Sequence, residues 1–302
     1  MEKREIVEEI RRLKAERNAV IIAHNYQIPD VQDIADFLGD SLQLSREAAK
    51  LDYDVIVFCG VHFMAETAAI LAPSKTVLIP DEGAGCPMAD MITAEELRQW
   101  KTEYPGTKVV CYVNTTAEVK AECDICCTSA NVLKVVDSLA DDTILFAPDK
   151  NLAAYAARFS DKKIIPWDGY CYVHHNFRAR HVQEQKALYP KAEVWVHPEC
   201  RPEVIDLADK VLSTGQMAKE TQVTDIKEVI LGTEEGIIHR LNKLNPEIRF
   251  VPLKKDAICS NMKKIDLPKV LRALKEIRVR VDVPDDVRRR AKLAIEKMIE
   301  IV

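Results

Sequence analysis

Three cysteines of this chain occupy one recurring position. Cys86, Cys171 and Cys259 follow the prolines that end three short apolar runs, Val77-Leu78-Ile79-Pro80, Ile164-Ile165-Pro166 and Phe250-Val251-Pro252, at offsets of 6, 5 and 7 residues. The prolines are 86 and then 86 residues apart. Three thiolates with no fourth partner suit an iron–sulfur cluster with one open iron, whereas a structural zinc wants four closed ligands, often as paired Cys-x-x-Cys knuckles. Burial as a small apolar side chain would explain any one of them; the shared repeat position favours ligation. The chain has nine cysteines, and the other six show no such period. Cys123-Asp124-Ile125-Cys126-Cys127 has metal-like spacing but no counterpart elsewhere in the chain. With Cys59, Cys111 and Cys200 it reads as packing in or beside strands. His174-His175 reads as loop structure, since two adjacent histidines point apart, and His62, His181 and His239 read as ordinary helix residues.

Polar groups recur in phase with the cysteines. Asp36-Phe37-Leu38-Gly39-Asp40-Ser41, Asp124-Ile125-Cys126-Cys127-Thr128-Ser129 and Asp209-Lys210-Val211-Leu212-Ser213-Thr214 each set a Ser or Thr five residues after an Asp, where a helical stretch opens. Ser41, Ser129, Ser213 and Thr214 read as helix N-caps, which alone would account for any one of them. Three such starts aimed at one axis would also bind an anion, through free N–H groups and the helix dipole. A small ligand carrying carboxylate or phosphate is expected there. Three strand ends carry further chemistry: His24-Asn25-Tyr26, Tyr112-Val113-Asn114 and His197-Pro198-Glu199. Such residues are often only turn formers. Here each lies on the side of its unit's cysteine, so His, Tyr and Glu could move protons and Asn could hold an oxygen.

The elements that must position these groups repeat as well. First strands read at Ala19–Ala23, Lys108–Tyr112 and Glu193–Val196, and second strands at Val55–Cys59, Thr143–Ala147 and Val229–Gly232. Tyr104-Pro105 and Tyr189-Pro190 close amphipathic helices. Short β-rich runs alternating with helices imply parallel sheets covered by helices. The expected fold is α/β: three pseudo-threefold-related, three-layer αβα domains, each with a small parallel sheet, around a central site at the carboxyl ends of the strands. The expected units are residues 1–86 with 268–302, 87–171, and 172–267. The C-terminal extension reads as helix, strand (Val279–Val283) and helix, docked on the first unit.

Composition narrows the class. With Lys+Arg 43 and Asp+Glu 48 the net charge is −5, and no basic block suggests nucleic acid. Hydrophobic residues at 47% and charged residues at 30% describe a globular chain. No run approaches the roughly 18 apolar residues of a membrane span, and the charged start Met1-Glu2-Lys3-Arg4-Glu5 is no signal peptide. A cytoplasmic protein without disulfides is expected.

The residues resemble the quinolinate synthase family. The signatures are Ala23-His24-Asn25-Tyr26-Gln27, Gly39-Asp40-Ser41-Leu42-Gln43-Leu44, Gly85-Cys86-Pro87-Met88-Ala89, Tyr112-Val113-Asn114, Thr128-Ser129-Ala130-Asn131, His197-Pro198-Glu199-Cys200 and Ser213-Thr214-Gly215-Gln216-Met217. The resemblance implies one [4Fe–4S] cluster per chain, held by Cys86, Cys171 and Cys259. It implies a carbon–carbon-forming transferase of de novo NAD biosynthesis that condenses iminoaspartate with dihydroxyacetone phosphate to quinolinate, phosphate and water, with the open iron as Lewis acid. Its partners would be these small molecules, with handover of iminoaspartate from an aspartate-oxidising enzyme. By resemblance Glu199 is the base near the open iron, Tyr26 the acid/base at the condensing carbon, and His24 orients the triose or its phosphate. Ser41, Tyr112, Asn114, Ser129, His197, Ser213 and Thr214 would hold substrate oxygens, beside His24 and Glu199. Some members carry extra cysteines just before the third ligand, in a redox switch; this chain has Asp256-Ala257-Ile258 there. An iron–sulfur hydro-lyase on another small diacid and a non-catalytic iron–sulfur anion sensor are the alternatives.

Overall fold

The β-branched runs become strands covered on both faces. In the computed structural model, which describes residues 2–50 and 52–301, Val20, Ile21 and Ile22 of β1 (Ala19–His24) are fully buried, as a parallel strand between two helix layers requires. β1 pairs in parallel with β2 (Phe37–Gly39) and β3 (Val55–Cys59), and β3 with β4 (Thr76–Leu78), in the order β2-β1-β3-β4. The same order recurs twice. The second sheet is β6 (Ile125–Cys127), β5 (Lys108–Tyr112), β7 (Thr143–Ala147) and β8 (Lys163–Pro166). The third is β10 (Lys210–Val211), β9 (Glu193–Val196), β11 (Glu228–Gly232) and β12 (Arg249–Pro252). The fold is therefore α/β with three parallel four-stranded sheets flanked by helices, in which each first strand lies centrally and each cysteine follows the edge strand that ends its unit.

The C-terminal extension departs from expectation in two ways. The stretch 279–283 forms no strand: it makes one antiparallel bridge, Leu78 to Arg280, with Ile79 N–H donating to Val279 O at 3.0 Å and Val281 N–H to Val77 O at 2.9 Å. Ile277 and Val279 adopt positive φ, 50° and 59°, which costs β-branched residues and interrupts extended pairing. Nor does the extension dock on the first unit alone. Helix Leu267–Glu276 packs on helix Lys3–Glu16, but helix Asp285–Glu300 lies against β6 and helix Ala117–Lys120 of the second unit as well as helix His62–Leu71 of the first. Arg290 pairs with Glu122 at 2.8 Å and Lys297 donates to Asp124 O at 2.9 Å. The last helix thus clamps two units together.

Candidate active site

The carboxyl ends of the central strands open onto one cavity. His24 and Tyr26 reach it from β1, Tyr112 and Asn114 from β5, His197 and Glu199 from β9. Cys86, Cys171 and Cys259 line the same cavity, one from each unit, close enough that charge on one thiol would raise its neighbours. Each cysteine opens a short helical turn, and the N–H three residues on, that of Ala89, His174 or Met262, donates to its sulfur. Burial pushes all three thiols above their ordinary value, so a bound metal must displace their protons. Three thiols on one cavity, each with a donor at sulfur, fit a group that binds through three cysteines. The six other cysteines do not line this cavity.

The helix starts are arranged differently from expectation. Asp40, not Ser41, caps helix Ser41–Ala48, accepting Gln43 N–H at 2.9 Å. Ser129 caps nothing, because helix Val132–Ser138 begins after Asn131. Ser213 is the cap of helix Thr214–Val223. Equivalent positions Ser41, Ser129 and Thr214 line the cavity, while Ser213 stands behind it, fully buried with its hydroxyl 3.4 Å from Asp40 Oδ2. Asp40 accepts N–H groups from both helix starts, those of Leu42 and Gln43 and that of Gly215. Gly215 is needed for this approach, since a Cβ there would come within 2.3 Å of Asp40 Oδ2. Asn25 Nδ2 donates to Thr214 Oγ1 at 2.9 Å and fixes that hydroxyl.

At the centre lies a chain of buried polar groups. Tyr112 donates a short hydrogen bond to Glu199 Oε1. His174 Nδ1 lies 2.6 Å from Glu199 Oε2 and 3.2 Å from Cys171 Sγ. His174 Nε2 is 3.0 Å from Thr233 Oγ1, which is 2.6 Å from Tyr26 Oη. His174 and His197 stack with ring centroids 4.4 Å apart. Burial alone would raise Glu199; the imidazoles of His197 and His174, with the hydrogen bonds from His174 and Tyr112, hold it below the usual carboxylate range. Burial, and for His24 the charge of Lys263, lowers both His24 and His197 to about 3, so both are neutral. Burial and the Glu199 charge raise Tyr26 and Tyr112, which stay as phenols. Asn114 Oδ1 is buried without a hydrogen-bond partner, an acceptor open to a ligand.

His174 corrects the reading of His174-His175 as loop structure. The pair does point apart: His175 turns to Asn151 and Arg201, at 3.0 and 2.9 Å. His174 turns inward, and with Cys171 and Glu199 it forms a group whose ligand atoms lie within 4.8 Å of one another. The signal was present as Cys171-x-x-His174, a spacing that puts both side chains on one face of a helical turn. Thr233 carried no such signal, since only the third sheet brings it beside Tyr26.

Among the described residues no helix is long and apolar enough to cross a membrane. The sequence matches the family described as Quinolinate synthetase A protein over residues 8–300. It is 56% identical over 296 residues to a quinolinate synthase of Dehalococcoides mccartyi, covering 98% of each chain. It is 57% identical over 294 residues to one of Methanoregula boonei, covering 97% of each. A quinolinate synthase of Methanosarcina barkeri is 51% identical over 301 residues, covering 100% of this chain and 99% of the other. A match of this extent, on a cavity that gathers the matching motifs from all three units, shows that the chain belongs to the quinolinate synthetase A family of enzymes.

Proposed function

We propose that this chain condenses iminoaspartate with dihydroxyacetone phosphate to quinolinate, phosphate and water, at a [4Fe–4S] cluster held by Cys86, Cys171 and Cys259. One observation carries the reading: three cysteines, one from each unit, share a cavity with Ser41 and Thr214, the first residues of two helices, and with Ser129, three residues before a third. When bound, the cluster supplies an electron-pair acceptor at its open iron. Everything else falls to side chains. Ser41, Ser129 and Thr214 hold carboxylate or phosphate oxygens, each such hydrogen bond to a charged group contributing about 1.5–3 kcal/mol. Asn114 Oδ1 takes a substrate donor. Neutral His24 and His197 offer hydrogen bonds without a competing charge, His24 orienting the triose. Glu199 is the base, fixed by Tyr112 and His174. A proton taken there has a path through His174 and Thr233 to Tyr26, the acid/base at the condensing carbon. Ser213 acts indirectly, by holding Asp40 between two helix starts. A cytoplasmic setting and receipt of iminoaspartate from an aspartate-oxidising enzyme belong to the same reading.

The test is anaerobic reconstitution with iron and sulfide, then an assay for quinolinate from the two substrates. Product that depends on about four irons per chain is the expected result. No product, or product independent of iron, would overturn the reading.

A further inference from the structure

The three units do not hold their cysteine loops equally. In each, the residue after the turn that follows the second strand ties the loop by backbone: His62 N–H to Ala84 O at 2.8 Å, Lys150 N–H to Gly169 O at 2.9 Å and Glu235 N–H to Ala257 O at 3.0 Å. Those acceptors all stand two residues before the cysteine. The residue immediately before each donor differs: Val61, Asp149 and Glu234. Asp149 and Glu234 are fully buried. Asp149 Oδ1 accepts the N–H groups of Asn151 and Leu152, both at 2.8 Å, and so caps helix Lys150–Ala157. Its other oxygen, Oδ2, accepts Cys171 N–H at 3.1 Å. Glu234 repeats the division of labour: Oε2 accepts Gly236 N–H at 2.8 Å, while Oε1 accepts Cys259 N–H at 3.1 Å and pairs with Lys263 at 2.8 Å. The Val61 side chain has no oxygen to offer Cys86.

From this geometry we propose that Asp149 and Glu234 are positioning residues for the cluster: each pins the main chain of one ligand cysteine, so that Cys171 and Cys259 are set in place while Cys86 is the compliant arm. The inference rests on the reading that these three cysteines bind the cluster. An N–H fixed by a buried oxygen fixes the peptide plane, and the peptide plane directs Cβ and the sulfur. Outer partners of this kind typically change metal affinity by about 10–100-fold when removed.

The variants are Asp149→Asn and Glu234→Gln. In Asp149→Asn the amide keeps its oxygen for the two N–H groups of the helix cap and turns an NH2 toward the Cys171 N–H, donor against donor. In Glu234→Gln the neutral amide weakens the Lys263 pair and sets an NH2 against the Gly236 or the Cys259 N–H, loosening the hold on the cysteine loop. The measurements are iron and sulfide per chain after anaerobic reconstitution, the rate of iron loss to EDTA, and thermal unfolding of the metal-free chain. Both variants should lose iron about 10–100-fold faster than the parent. Cys126→Ala, which perturbs only packing in the second unit, serves as a destabilised control and should lose iron at the parent rate. If one carboxamide variant does not fold, the other carries the test from an independent unit. Parental rates in the folded variants, or equally fast loss from Cys126→Ala, would overturn the inference. A parent that takes up no iron overturns the cluster reading itself, and this inference with it.

Discussion

Cys111, Cys126 and Cys127 sit in two neighbouring strands of the second sheet, with Cys123 just before the second of them, whereas Cys86, Cys171 and Cys259 follow three different sheets. In the first group Cys111 stands opposite Cys126 across the β5–β6 ladder. Its polar needs are met on the spot: Cys111 Sγ lies 3.3 Å from Thr115 Oγ1, Cys123 donates to Val119 O at 3.0 Å, and the buried Lys120 ammonium donates to Thr115 O. None of these four lines the central cavity. The second group meets in that cavity beside Glu199, His174 and an unpartnered Asn114 oxygen. Crowding along the chain therefore marks packing, and convergence between repeats marks the site.

The sharpest way to break the comparison is to exchange the two groups' fates. Replacing Cys86, Cys171 or Cys259 by Ser should abolish iron retention and quinolinate formation, because two thiolates cannot hold a cluster built for three. The measurement is iron and sulfide per chain after anaerobic reconstitution, followed by the product assay. Full iron in Cys171→Ser would dissolve the distinction between the groups.

Within the convergent group, Tyr26 separates ligation from chemistry. Its hydroxyl ends the polar chain from Glu199 and touches no other described acceptor but Thr233 and His174. Tyr26→Phe should keep the cluster and bind quinolinate, yet lower kcat by about 10²–10⁴-fold, the usual worth of a positioned proton donor. Parental turnover would reduce Tyr26 to packing.

Much of this was legible in the sequence because it repeats. Prolines in phase located the cysteines, and alternation of strand and helix gave parallel sheets, since both depend on local chemistry carried three times over. What repetition could not reach was the asymmetry. Only the second unit places a histidine three residues after its cysteine, so His174 had no echo to draw attention to it. Of the expected helix caps Ser213 is one, but at Ser41 the cap falls to Asp40, which also accepts from a helix of another unit, and at Ser129 the helix opens only after Asn131. The strand expected at 279–283 failed for a different reason: its apolar alternation is real, but positive φ at Val279 allows a single bridge.

Acidity should tell the two regions apart next. His24 and His197 have folded pKa values of about 3 against an ordinary 6.5. Between those limits the unfolded chain binds more protons, so stability from keeping them neutral is complete above pH 6.5 and is lost as pH falls toward 3. Each contributes a slope of about 1.4 kcal/mol per pH unit across that window. Glu199, held low when folded, acts in the same direction near the bottom of the window. Unfolding free energy measured by denaturant at stepped pH should fall accordingly, and His197→Gln should flatten the slope by about one histidine's share. A profile unchanged by that substitution would show that the axis histidines are not buried neutral.

The smallest expected effect belongs to the packing cysteines. Cys126 is fully buried in β6, opposite Cys111 and beneath helix Asp285–Glu300. Removing its sulfur leaves a void too small for water and breaks no hydrogen bond, so Cys126→Ala should cost about 1 kcal/mol of stability and leave iron content and turnover at the parent level. Thermal unfolding together with iron analysis checks both halves. The two halves are coupled by the fold: the last helix presses on β6 and also on the first unit, so a collapse at Cys126 could reach the axis only by shifting that helix. Parental iron with a modest drop in melting temperature shows that the helix absorbs the change locally. Lost iron would mean that the second sheet's cysteines position the axis after all, through the helix that clamps the two units.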